Sequence, residues 1–356
     1  MLVYILLAFI VGIFALIEDG KQTGLDKKLF NVGLFVFLLV VGLRYMHGDY
    51  GTYEMAYNER IDVGGDIGYY QLQLLFQDIG GSFQVFVFII TLISVFAFRQ
   101  TFRMSVWPIF GIVMILGKIF TLYAMSGIRQ YLAMAICWWA ISELLIYKRK
   151  LLFLAMILIA YTLHGSAIII LPVYFFRDRR FNSLVAFLMI LLAVIIGRSF
   201  MQFFKGAADL SDFVDNRFGS YVQGSLYGES GMNLLNYAEN FLFLFLALLV
   251  RKKAVHKIPY FDFFLYMFLI YCGFLIAGNE VGIVKRLRDY YALSYAFIVP
   301  SFIYLFRDES LRKASHFIIV IYFIFLMFRS LTVYDSVFDE SYYGKMIPYH
   351  SVFQMK

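Results

Sequence analysis

LLFLAMILIAYTLHGSAIIILPVYFF, from Leu151 to Phe176, is an apolar run broken near its middle by Leu163-His164-Gly165-Ser166. It is long enough to cross a bilayer once, since about 20 apolar residues suffice, but the charges at its ends argue against a single crossing. Lys148, Arg149 and Lys150 border it on one side, and Arg177, Arg179 and Arg180 on the other. One of these clusters would then lie outside, against the tendency of Lys and Arg to remain cytoplasmic. A hairpin returns both to the cytoplasm. Two arms of about 13 residues reach roughly 20 Å at 1.5 Å per residue, so the tip with His164 stops part-way across. Non-helical backbone at that depth is tolerated only against protein or a water-filled cavity. His164 is therefore expected to look into a cavity or to bond a neighbouring carbonyl.

The rest of the chain reads the same way. Of 356 residues, 62% are hydrophobic, 20% aromatic and only 15% charged, with a mean hydropathy of +0.76. This is the composition of an all-α polytopic membrane protein. Apolar runs near residues 1–17, 29–46, 83–98, 106–123, 126–147, 181–203, 234–250, 258–277, 289–306 and 314–331 predict ten full spans beside the re-entrant hairpin at 151–176, all in one integral domain over 1–356. Met1–Ile17 lacks a basic n-region and a small-x-small cleavage site, and reads as a retained first span with its N-terminus outside. The short segments 18–28, 99–105, 148–150, 177–180, 251–257 and 307–313 then hold 18 of the 31 Lys and Arg residues on the cytoplasmic side. Both termini lie outside. The formal charge of +7 is largely this orientation signal, so nucleic acid is not implied. Cys137 and Cys272 sit in apolar runs without metal-ligand spacing and read as small core residues.

The outer segments are longer: 47–82, 204–233, 278–288 and a tail from 332 onward. The first two are rich in Gly, Tyr and acids. In the first, Tyr69, Leu72, Leu75, Phe76 and Ile79 recur at helical spacing, which predicts a helix lying on the outer leaflet or a lid packed on the bundle.

Positive charge on the outer half runs against the orientation rule and marks the candidate site. Arg44 ends the second span, Lys118 lies near the end of the fourth, Arg129 falls in the first turns of the fifth, and Lys285, Arg286 and Arg288 precede the ninth. A guanidinium in hydrocarbon costs roughly 2.5 to 3.5 kcal/mol even on the lenient scale, so each must snorkel to the headgroups or meet a polar partner. Arginine holds phosphate oxygens bidentately, and Arg129 stands beside a helix N-terminus, which favours anions. Several such groups at one depth point to a phosphate or pyrophosphate ligand. Asp49 is read as a general base or as the salt-bridge partner of Arg44, and His164 as the other candidate base. Glu280 and Asp289 bracket the late basic cluster. Tyr53 and the other outer-loop tyrosines offer rings that stack on sugars or form an interfacial belt.

Other chemistry is disfavoured. There is no DxD, HExxH, GxSxG or glycine-rich dinucleotide fingerprint, and Gly111–Lys118 lacks the spacing of a phosphate-binding loop. No metal and no cofactor is expected.

Four short motifs occur in order: Arg44 with Gly48, Asp49 and Tyr53; Ile128-Arg129-Gln130-x-Leu132-Ala133; His164-Gly165-Ser166-Ala167; and Lys285-Arg286 with Tyr290 and Tyr291. From about residue 40 to 295 this order resembles the EpsG-like group of Wzy-type bacterial polysaccharide polymerases. The resemblance implies a multi-pass glycosyltransferase of the bacterial cytoplasmic membrane acting on its outer face. Undecaprenyl-pyrophosphate-linked repeat units would serve as donor and acceptor, without nucleotide or metal. It further implies that Asp49, His164, Arg129 and Arg286 are catalytic, with Arg44, Tyr53, Arg288, Lys118, Gln130, Tyr291 and Glu280 binding substrate. Membrane lipid and a chain-length regulator are the expected partners. Two other classes stay open on the residues alone: a flippase or transporter of lipid-linked sugars, since broken helices near the midplane are common in transporters, and a membrane-bound acyltransferase of surface sugars.

Overall fold

The computed structural model describes residues 1–18, 20–62, 64–209, 234–278, 282–338 and 342–354, the stretch 198–209 by its backbone alone. All regular secondary structure among the described residues is helical, apart from one isolated bridge between Arg44 and Ser351. Two compact units form: Met1–Leu171 with Phe306–Lys356, and Pro172–Leu305.

In the first unit, helices α1 (Leu2–Ile17), α2 (Gly24–Gly42), α3 (Tyr50–Asn58), α4 (Ile67–Asp78), α5 (Phe83–Phe102), α6 (Pro108–Lys118), α7 (Ile128–Ile146) and α8 (Lys150–Leu163) are joined by the long helix Glu309–Ser336. Helix α2 begins five residues before its apolar run, because Thr23 and Asp26 form a reciprocal capping box at 3.2 and 2.8 Å. The carboxylate of Glu18, just past α1, accepts from Ile109 N and Phe110 N at 2.9 and 3.2 Å and so caps the start of α6. The fourth apolar run is not one helix. α6 ends at Lys118 and a π-turn, Phe120–Ala124, follows it.

The break expected after Leu163 is present. His164 leaves the helix with φ −161° and ψ 114°, and Gly165–Phe176 continues as a 3-10 helix containing Pro172. Ala167 O lies 3.9 Å from Cys137 Sγ on α7.

The second unit contains α9 (Ser183–Asp209), Leu234–Ala254, Phe261–Gly278 and Gly282–Asp289. Its last apolar run is built as 3-10 turns, Tyr290–Ser294 and Val299–Leu305, around one α-turn, Tyr295–Ile298. Ser294 and Ser301 donate to carbonyls three residues back, at 2.7 and 2.5 Å. At about 2.0 Å per 3-10 residue the run still extends about 30 Å, the thickness of the hydrocarbon core.

Among the described residues, four helices, Phe83–Phe102, Leu234–Ala254, Phe261–Gly278 and Glu309–Ser336, are long and apolar enough to cross a membrane. Their setting is inverted relative to a soluble bundle. On α1, Tyr4, Leu7 and Val11 are buried while Leu2, Phe9 and Ile17 are exposed; on α8, Leu151, Leu158 and Ile159 are exposed. In water each such side chain would forgo about 1.5–3 kcal/mol of burial. A helix apolar on both faces is stable only with lipid on the outer one.

The C-terminal tail is fastened across the end of α2. Tyr45 N donates to His350 O at 3.0 Å, Val352 N to Leu43 O at 3.0 Å and Gly48 N to Gly344 O at 2.7 Å. His47 is the central fastening: Nδ1 lies 2.7 Å from Lys345 O, and His350 N donates to Nε2 at 2.8 Å. That pattern requires a neutral ring with its proton on Nδ1. Burial pushes the His47 ring down to about 4, against the Lys345 carbonyl that favours the charged form and with help from His350 and Arg44.

Because the unfolded ring titrates near 6.5, the unfolded state binds more protons between about 6.5 and 4, and folding must weaken as pH falls through that window. Proteolysis of the tail should therefore accelerate as pH drops from 7 to 4.5. In His47→Asn the tail should be cut more readily at pH 7, with a flatter pH profile.

Candidate functional site

The segment between α3 and α4 is organised by two carboxylates. Asp62 Oδ1 accepts from Gly64 N and Gly65 N, both at 2.9 Å, forming a side-chain-stapled turn that aims the next residues. Gly64 lies so close to the Arg129 guanidinium that any Cβ there would collide with it. Asp66 follows. Its Oδ2 accepts from Arg129 Nη1 at 2.5 Å and sits 3.1 Å from His164 Nδ1, while its Oδ1 accepts from Gly165 N at 3.2 Å. One carboxylate thus fastens the first turn of α7 to the break after α8. Gly165 N has left the helical ladder and would otherwise be an unpaired donor.

The cluster is mostly enclosed: side-chain exposure is 11% for Asp66, 14% for Arg129 and 19% for His164. The Arg129 guanidinium lies 5.6 Å from the centre of the Tyr53 ring and 5.9 Å from that of Tyr69, with Nε 3.4 Å from Tyr53 Oη. Burial alone would raise the Asp66 carboxyl. The hydrogen bond and charge of His164, the Arg129 guanidinium and the Gly165 N–H outweigh it and hold the group below its ordinary value. Asp66 is therefore ionised at neutral pH and acceptor-only. His164 then donates Nδ1–H to it, and in a neutral ring this orientation leaves the Nε2 lone pair for another group. A base oriented by a third residue in this way is the arrangement used to activate hydroxyl nucleophiles.

Next to this cluster Arg44 is 1% exposed. It donates to Val41 O and, at 3.1 Å, to Met125 O, a carbonyl left free between the π-turn and α7. Arg44 therefore does not pair with Asp49. The hydroxyls of Tyr69 and Tyr131 are buried without a hydrogen-bond partner among the described residues, and both phenols lie within electrostatic reach of Arg44. Two orphaned hydroxyls beside two guanidinium groups, with one carboxylate as counter-charge, leave a net positive and polar interior suited to an anionic oxygen.

Of the residues singled out from sequence, Arg129, His164 and Tyr53 come together. Gln130 is buried on α7. Asp49 stands half-buried ahead of α3, its N–H donating to Ser126 Oγ at 3.3 Å; Gly48, at φ +58°, packs on the same serine. The Lys118 ammonium lies 5.8 Å from the centre of the Phe323 ring. Arg286, Arg288 and Tyr291 belong to the second unit. There Arg288 donates to Asp289 at 2.8 Å and covers the Tyr271 ring at 4.8 Å, and Tyr291 is buried against Phe274. Glu280 and residues 210–233, most of the segment expected outside over 204–233, lie outside the described residues. Helix α4 packs on the bundle through Tyr69 and Gln73, Gln73 donating to Ala56 O at 3.0 Å, while Leu75 and Ile79 stay exposed. Asp66 escaped the sequence reading altogether. Its only signal is the crowding of glycines at 64, 65 and 68 around it.

Removing one partner of an enclosed ion pair costs about 3 kcal/mol or more, whereas an exposed pair contributes about 0–1 kcal/mol. Asp66→Ala should therefore lower the melting temperature in detergent and open the 59–66 segment to protease. Asp78→Ala, which breaks the exposed Arg60–Asp78 pair of 2.6 Å, should leave both nearly unchanged.

No curated protein and no solved structure matches the chain. A family model does: that of the EpsG family, over residues 27–351. A match of that extent, over a helical chain with membrane-spanning segments, makes this protein a member of the EpsG family.

Proposed function

We propose that this protein polymerises lipid-diphosphate-linked oligosaccharide repeat units into an exopolysaccharide on the outer face of a bacterial cytoplasmic membrane. Membership of the EpsG family supports a role in exopolysaccharide biosynthesis. The observation that carries the reaction is the contact of one Asp66 oxygen with both Arg129 and His164.

In this reading ten spans and the hairpin at 151–176 place 47–82 and His164 outside, with both basic clusters flanking the hairpin in the cytoplasm. The acceptor sugar's hydroxyl approaches His164 Nε2. Its O–H bond breaks toward the imidazole as the oxygen bonds the donor's anomeric carbon, and the bond from that carbon to the diphosphate breaks with its electron pair. Asp66 holds the imidazolium that forms. Arg129 Nη2, which no described residue accepts from, stabilises the leaving diphosphate, and pre-aimed cations of this kind are often the largest electrostatic contribution to such a step. Tyr53 and Tyr69 hold the guanidinium in place. The Lys285–Arg288 run is assigned a phosphate-binding role on its charge and motif. The step consumes no nucleotide.

Arg129→Lys and Arg286→Lys, made separately, should each shorten the polysaccharide ladder, with turnover falling about a hundredfold or more. His164→Gln should do the same. Single repeat units should accumulate on the outer leaflet. Normal ladders from both arginine variants would remove the phosphate role, and units trapped on the inner leaflet would indicate a flippase.

A further inference from the structure

A cavity of about 630 Å³ in the second unit is lined by Arg180, Arg251, Lys252, Val255, His256 and Asp262. It lies where the two spanning-length helices Leu234–Ala254 and Phe261–Gly278 end and begin. Its single carboxylate is already committed. Asp262 Oδ1 accepts from Arg251 Nε at 2.7 Å, and Oδ2 accepts from Arg251 Nη2 at 2.9 Å and from Phe181 N at 3.0 Å. The Arg251 guanidinium is fixed further by Phe181 O at 3.3 Å and by the Phe181 ring at 5.3 Å. These bonds build a rigid floor whose charges cancel.

Above that floor, Arg180 and Lys252 are exposed, and neither side chain forms a hydrogen bond or ion pair with any described residue. His256 is exposed beside them. Val255 supplies an apolar edge, exposed as are Leu248 and Leu249 on the helix before it. We infer that this cavity is a binding site for a phosphate-bearing group, held between the free cations of Arg180 and Lys252 at the edge of the membrane. The site is separate from the Asp66 cluster and needs none of the chemistry proposed there. Two sources share this ligand chemistry: the headgroup of an anionic phospholipid, which basic pockets between spanning helices are built to receive, and a soluble phosphate. The apolar edge favours the headgroup.

The test uses the full chain in detergent, loaded with phosphatidylglycerol or phosphatidylcholine and analysed by native mass spectrometry. Wild type should retain phosphatidylglycerol over phosphatidylcholine, and the double variant R180Q/K252Q should lose about thirtyfold in affinity for it. Retention should survive millimolar inorganic phosphate if the headgroup is the ligand. Displacement of lipid by inorganic phosphate, again abolished in the double variant, would assign the site to the soluble anion. Because neither side chain bonds to the protein, the variant should keep the wild-type melting temperature, and Arg251→Gln, which removes the floor, serves as a second disruption. Equal retention of both lipids by wild type and by both variants, with no phosphate binding, overturns the inference.

Discussion

One carboxylate oxygen, Asp66 Oδ2, is shared between a guanidinium and an imidazole that reach it from stretches 63 and 98 residues away. Around this point one end of the first unit is assembled. Without a charge there, Arg129 would be a cation beside two tyrosine rings without this carboxylate, and the break after α8 would leave the Gly165 N–H unpaired. With it, three irregular pieces of chain become mutually satisfied: the glycine-rich approach to α4, the start of α7 and the end of α8. The same bond fixes which nitrogen of His164 carries the proton, so assembly and chemistry rest on a single contact.

The surrounding helices show why polar groups concentrate at such breaks. Within an apolar bundle every buried donor and acceptor needs a partner, and regular helices use up their own. Only where a helix stops are backbone groups free to receive a side chain. Arg44 uses the Met125 carbonyl released beside the π-turn, Glu18 uses the first amides of α6, and Asp66 uses the amide of Gly165. The His47 fastening follows the same logic at the end of α2, where an extended tail supplies carbonyl and amide to one imidazole. Helix ends are thus where this fold stores its polar chemistry, and the apolar helix faces are left to lipid.

Much of the architecture was legible in the chain because bilayer helices are long apolar runs, and each described run is helical close to where it was expected. The polar tetrad at 163–166 also announced its break correctly. What could not be read were pairings between distant irregular segments. An aspartate in a Gly-rich loop carries no periodicity, so Asp66 looked like any solvated acid, while Asp49, five residues from Arg44, looked like its natural partner. The structure gives Arg44 to backbone carbonyls instead. Composition likewise could not reveal that the run 290–305 tightens into 3-10 turns, within which the hydroxyls of Ser294 and Ser301 donate to carbonyls three residues back.

The central claim, that the Asp66 cluster opens to the exterior, is tested most directly by His164→Cys. The two native thiols, Cys137 and Cys272, are buried and leave a quiet background. In intact cells a membrane-impermeant maleimide should label the new thiol without permeabilisation. Labelling that required access from the cytoplasm would contradict the account.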